Sequence, residues 1–177
     1  MVVEARVLGI PELKAALSSI PAKLRKRALR NALAAAGRVV RDAARQAAPV
    51  LRGVAPYRQR GTVRKAINVR TSKIARRAGD VGVFINVKPA KAGQRGAKSK
   101  TDPFYWRWLN FGWTPATGPR SALAKRNRRA HMRSNSPAVP GHHFLEAGAK
   151  RLGQALEVFK AKIGPAIAKL NNKGQTP

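Results

Sequence analysis

Apolar and polar residues alternate in VVEARVLG at the start of the chain. Val3, Ala5 and Val7 are set against Glu4 and Arg6, the period of a half-buried strand. A short helix is predicted from Pro11 to about Ser19, with proline in its first turn. From Ala22 to Ala48 the chain holds one glycine and no proline, while Pro21 and Pro49 flank it. At ~1.5 Å per residue this helix is about 40 Å long. Stepping ~100° per residue places Leu24, Ala28, Ala32, Ala35, Ala36, Val39, Val40, Ala43 and Ala47 in one sector. Lys23, Arg27, Arg30, Arg38, Arg41 and Arg45 fall in the opposite sector, a narrow cationic stripe.

Further on, Thr62 to Arg70 reads as a helical turn running into a strand. DVGVFINV then sets Val81, Val83, Ile85 and Val87 on one side in strict alternation. The block FYWRWLNFGW, Phe104 to Trp113, holds all three tryptophans, and Tyr105, Trp108, Leu109 and Phe111 fit a short buried helix. The last element starts near Phe144, with Leu145, Leu152, Leu156, Phe159, Ile163 and Ile167 at helical spacing. Pro165 is expected to kink or end it, and a frayed tail follows Leu170.

This order predicts an α+β fold, a small antiparallel sheet packed by a long N-terminal helix and a C-terminal helix, with long basic loops or arms. One domain is expected over residues 1–170, with excursions at about 88–103 and 114–141 and a flexible tail at 171–177. Both excursions are rich in Lys, Arg, Gly, Pro or Ser, with little to bury.

Charge changes this picture. The 177 residues carry 37 Lys+Arg against 7 Asp+Glu, a net charge of +30. Residues 1–50, 51–103, 104–141 and 142–177 hold +7, +12, +7 and +4, so no acidic segment balances a basic one. At most seven cations can pair one to one within the chain, and the rest meet solvent or an anionic partner. Like charges at i,i+3 and i,i+4 weaken a helix by about 0.2–0.5 kcal/mol per pair, so the stripe from Lys23 to Arg45 does not serve helix stability. It is either a solvated outer face or a surface for phosphates or an acidic partner. The stretch from Arg120 to Arg133, with Arg120, Lys125, Arg126, Arg128, Arg129 and Arg133, forms a basic arm inside 43 acid-free residues.

Candidate chemistry is sparse. The seven acids are scattered singly, with no two in helical reach of each other, and no general acid/base pair is visible. The chain has no cysteine, which removes disulfides and thiolate zinc sites. His142 and His143 are adjacent, point apart on any regular element, and read as capping or packing, while His131 lies in the basic arm. Neither GxxxxGK[ST] nor GxGxxG occurs. The expectation is a protein without enzymatic activity, cofactor or metal. No apolar run approaches the ~20 residues of a membrane span, and MVVEARVLGIPEL lacks a signal-peptide core, so a soluble product made in the cytoplasm is expected. The aromatics Tyr105, Trp106, Trp108, Phe111, Trp113 and Phe144 read as core or subunit contact. Stacking of bases beside Arg107 is the alternative.

The order of motifs then points to a family. PELKAAL is followed by the long Ala/Arg helix ending in Ala44–Pro49, by Gly61-x-Val63-x-x-x-Ile67, by an aromatic block closing in Asn110-Phe111-Gly112, and by Pro140 through Phe144-Leu145 before the last helix. Over about Val2 to Leu170 this resembles the tail-completion or head-tail joining proteins of long-tailed bacteriophages. Asn110 stands where the family usually has an acid, and Thr114 to Val139 is longer than the usual connection. The resemblance implies a structural virion protein of the phage neck, without catalysis. It implies a homo-oligomeric ring, with six copies favoured and twelve the alternative, between the head connector and the tail tube or tail terminator, with genomic DNA in its lumen. The competing reading, from charge alone, is a basic nucleic-acid-binding protein, architectural or ribosome-associated.

Overall fold

The computed structural model describes residues 22–114 and 138–173 except 54, 55, 57 and 97, together with residues 14, 15 and 18. The strand expected at Val3–Val7, the basic arm with Arg120, Lys125, Arg126, Arg128, Arg129 and Arg133, and residues 174–177 lie outside these. Of the short helix expected at Pro11–Ser19, residues 14, 15 and 18 are described, and they are helical.

Helix α1, Ala22–Ala47, is the spine of the fold. Ala28, Ala32, Ala36, Val40 and Ala44 are buried along it at intervals of four, and Ala48 continues the line beyond its end. The expected apolar sector included Leu24 and Ala47, which are exposed, and omitted Ala44, which is fully buried. A row of every fourth residue drifts by about 40° per step around a helix, so over this length the buried line winds away from any fixed sector.

Three clusters of apolar residues lie along that line. Ala28 and Ala32 pack with Ile163 and Ile167; Ala36 and Val40 pack with Ala155; Ala44 and Ala48 pack with Val63, Ile67, Val87 and Phe144. The partners from the last helix rise in number as those of α1 fall, so the two helices run antiparallel. Small alanine side chains on α1 let the larger Ile163, Ile167 and Phe159 approach its backbone.

Helix α2, Thr62–Ala66, runs straight into β1, Ile67–Thr71. A short helix α3, Lys73–Arg77, capped by Ser72 Oγ accepting from Ala75 N at 3.2 Å, connects it to β2, Val83–Val87. The strands are antiparallel, with Ile67 opposite Val87, Val69 opposite Ile85 and Thr71 opposite Val83. This face lies on α1. A Cβ built on Gly37 would sit 3.0 Å from Val69 Cγ1, so the hairpin approaches the helix backbone where a side chain is missing. An isolated two-stranded hairpin is marginal in water, and the helix beneath supplies its stability.

Helix α4, Trp106–Phe111, leads into β3, Gly112–Trp113, which pairs antiparallel with β4, Val139–Pro140. The single C-terminal helix expected from Phe144 is two helices, α5, Phe144–Ala149, and α6, Leu152–Lys173. Arg151 N bonds to Gly148 O, three residues back, which tightens and ends the first. Pro165 neither ends nor divides α6, which continues to Lys173, past the expected fraying at Leu170. Gly164 precedes the proline and has no Cβ to clash with its ring, and buried Ile163 and Ile167 clamp both sides to α1. The fold is therefore α+β, with the expected long helix, small antiparallel sheet and C-terminal helix.

Described residues of the stretch 88–103 are tied by hydrogen bonds. Asp102, almost fully buried, accepts from Ala90 N at 3.2 Å and Gly96 N at 2.6 Å. Gln59 N donates to Lys100 O at 3.1 Å and Arg58 Nη1 to Ser99 O at 3.2 Å. One carboxylate satisfied by two amides lets a segment poor in apolar residues close on itself.

Candidate functional site

The six cations of the stripe on α1 divide into two groups. Lys23, Arg27, Arg30 and Arg38 are exposed along the helix. Arg41 and Arg45 are half-buried and engaged. Arg41 grips the neighbouring Asp42 in a fork, Nε to Oδ1 at 2.8 Å and Nη2 to Oδ2 at 3.0 Å. That bond, helped by the charges of Arg41, Arg45 and Arg38, holds the Asp42 carboxyl below its ordinary value against the opposing effect of burial.

Arg45 acts as a clasp. Its Nε donates to Ile67 O at 3.0 Å, and its Nη2 reaches Lys65 O and Asn68 Oδ1, each at 3.4 Å. The bonds fix the end of α2 against α1 and bring Arg64 and Lys65 beside Arg45. These residues, with Asp42 and Gln46, line an open cleft of about 560 Å³. Nothing in the sequence pattern sets Arg64 and Lys65 apart from the other cations. They sit on the Gly61-x-Val63 segment, and their approach to Arg45 is a tertiary event.

Aromatic residues form the second surface. The residue that α4 buries is Asn110, at 0% exposure, while Trp108, Phe111 and Trp113 are 52%, 61% and 42% exposed. The short buried helix expected of Tyr105, Trp108, Leu109 and Phe111 is corrected on this point: Tyr105, Trp106 and Leu109 are half-buried against the cluster around Ala44, and Trp108 and Phe111 face outward. Phe144 lies fully inside that cluster.

Asn110 is buried because every bond it needs is at hand. Its Oδ1 accepts from Leu145 N at 3.0 Å and its Nδ2 donates to Glu146 Oε1 at 3.1 Å. Its backbone carbonyl accepts from His143 N at 2.9 Å, and that of Leu109 from His142 N at 2.8 Å. The amide therefore bridges the Leu145 backbone and the Glu146 carboxylate, a place where an acid would face a like charge. His143 occupies the N-cap of α5 with φ 47°, and its Nδ1 lies 3.9 Å from Glu146 Oε1. Gly112 follows with φ 86°, a left-handed turn from helix into β3 that glycine accommodates without strain.

Phe104 meets Tyr105 and Trp108 edge to face, with ring centroids 5.5 and 6.0 Å apart. The Arg58 guanidinium lies over Phe104 at 4.9 Å and Tyr105 at 5.2 Å. Burial pushes the Tyr105 phenol up, partly offset by the Arg58 charge. Trp113 stands opposite Val139, itself exposed, so Trp108, Phe111, Trp113 and Val139 place apolar surface on the α4 and β3–β4 corner.

Among the described residues no group of three or more His, Asp or Glu is placed to hold a metal, and no helix is long and apolar enough to cross a membrane. The fold and its surfaces define a small, strongly basic α+β protein organised on one long helix, with cations and aromatic rings facing outward. Residues 12–112 match the family described as "Bacteriophage HK97-gp10, putative tail-component", and the chain belongs to that family. The match ends at Gly112, on the Asn-Phe-Gly turn, and includes α1, the β1–β2 hairpin and α4. No curated protein matches the chain, and no solved structure does. As a phage tail component the protein is a structural part of the virion and meets other virion proteins.

Proposed function

We propose that the protein sits in the phage neck, where several copies form a ring joining head to tail around the path of the DNA. The observation that carries this reading is the family match over residues 12–112. Two surfaces support it. The exposed row Lys23, Arg27, Arg30 and Arg38 suits a wall facing a polyanion, and the corner of Trp108, Phe111, Trp113 and Val139 suits a contact with a neighbouring subunit. A ring of six copies is favoured, with twelve the alternative, between the head connector and the tail tube or tail terminator. The role is structural and needs no catalysis or cofactor.

Mass spectrometry of purified particles, with electron microscopy of the neck, tests this. The expected result is a fixed small number of copies per particle and density at the head–tail junction. Absence of the protein from purified particles overturns the reading.

A further inference from the structure

Among the cavities and charged patches of the molecule, the cleft between α1 and α2 combines a preset cation, two unengaged ones and a neutralised acid. Arg45 is held by three acceptors through Nε and Nη2, which leaves both N–H groups of Nη1 without a partner among the described residues. Its position is fixed before any ligand arrives. Arg64 and Lys65 are exposed and make no ion pair among the described residues. The cleft's carboxylate, Asp42, has both oxygens turned to Arg41. Arg41 and Asp42 cancel, and Arg45, Arg64 and Lys65 leave a local surplus of three positive charges around about 560 Å³ of open space.

We infer that this cleft is a seat for backbone phosphate of duplex nucleic acid, contacted by Arg45, Arg64 and Lys65. The inference rests on the reading that α1 faces DNA, and it names where a phosphate is held. The two N–H groups of Arg45 Nη1 and the ammonium of Lys65 suit a tetrahedral anion approached from more than one side. The cleft closes one end of a cation row that begins at Lys23. At ~1.5 Å per residue the row spans about 33 Å, close to one turn of a duplex, which carries a charge every ~1.7 Å of its axis. A long, regular and strongly charged backbone matches that row.

The test uses the full chain and a mixed-sequence duplex of about 30 base pairs, with affinity measured by fluorescence anisotropy across a salt series. The double variant Arg64→Ala/Lys65→Ala is expected to lower the log–log salt slope by about 1.8, and affinity at ~0.15 M salt by about 10–30-fold, at ~0.9 per phosphate contact. The variant Lys73→Ala/Arg76→Ala removes equal charge from α3 at the far end of β1 and is expected to change the slope by less than half as much. Equal slopes for wild type and Arg64→Ala/Lys65→Ala, equal losses in both variants, or no duplex binding by the wild type at ~50 mM salt would each overturn the inference. Polyglutamate bound more tightly than the duplex, with that preference lost in Arg64→Ala/Lys65→Ala, would overturn it in favour of an acidic protein segment. Particle composition is read separately. A missing slope difference with the protein still present in particles removes the cleft alone, and absence from particles with the slope difference intact removes the neck reading alone.

Discussion

Asn110 and Glu146 are joined across 36 positions of sequence by one hydrogen bond of 3.1 Å, and the same buried amide accepts from the backbone N–H of Leu145. One side chain thereby fastens the aromatic helix α4 to the start of α5. Asn110→Ala leaves a buried amide N–H at Leu145 without its acceptor and is expected to cost about 1–3 kcal/mol, measured by chemical denaturation. Asn110→Asp keeps the acceptor for Leu145 but turns a carboxylate toward Glu146. Burial and the neighbouring charge raise such a carboxyl, so its penalty is greatest at pH 7 and eases as pH falls toward ~4. An Asn110→Asp variant equally unstable at pH ~7 and pH ~4.5 would refute the bridge.

That bridge marks the limit of what the sequence discloses. Helix α1 is legible because flanking prolines bound it and its apolar residues recur at helical spacing. The β1–β2 hairpin is legible because Val83, Ile85 and Val87 alternate. The outward position of Trp108 and Phe111 is not, since apolar periodicity marks a face that seeks cover without saying whether the cover is the same chain or another. Nor is the inward position of Asn110, which depends on two bonds to residues 35 and 36 positions away. The clasp of Arg45 on Ile67 and Lys65 is hidden for the same reason, and from sequence Arg45 reads as one more member of a stripe.

Gly148 is the point where α5 crosses α1. A Cβ there would lie 2.8 Å from Val40 O and 2.9 Å from Ala44 Cβ, with backbone on one side and a core alanine on the other. Neither can yield locally, so Gly148→Ala is expected to push the helices apart and cost about 1–3 kcal/mol. Gly153, also helical, has nothing within 4 Å of its Cβ position. Gly153→Ala is expected to hold or raise stability by up to ~1 kcal/mol through helix propensity. Thermal melts separate the two, with about 2–4 °C per kcal/mol at this chain length.

Asp42 gives a pH dependence of known sign. Its carboxyl is held below the ordinary value by the Arg41 fork, so its contribution is present above the unfolded value near ~3.9 and is lost as pH falls through the lower folded value. The side chain is half exposed, so solvent screens the pair and the effect at pH 7 is at most ~1 kcal/mol. Asp42→Asn is expected to destabilise slightly at pH 7 and to match the wild type at pH 2, compared by urea denaturation. A difference that persists unchanged at pH 2 would assign the effect to packing instead.

Phe111 separates a core aromatic from an interface one. A buried phenylalanine truncated to alanine costs about 3–5 kcal/mol, because transfer and cavity terms add. At 61% exposure most of that ring already meets water, and Phe111→Ala is expected to change the stability of the isolated chain by no more than ~0.5–1 kcal/mol. If this corner contacts a neighbouring copy, as the proposed ring requires, the same change weakens association far more than folding. Sedimentation velocity over a concentration series is then expected to shift toward smaller species while the melting curve stays in place. Phe144→Ala supplies the contrast, since that ring is fully enclosed among Ala44, Val63, Ile67 and Val87, and its loss is expected to lower the melting temperature first. A Phe111→Ala variant that melts like Phe144→Ala would place the ring in the core, and one that neither melts early nor dissociates would free this corner of any part in assembly.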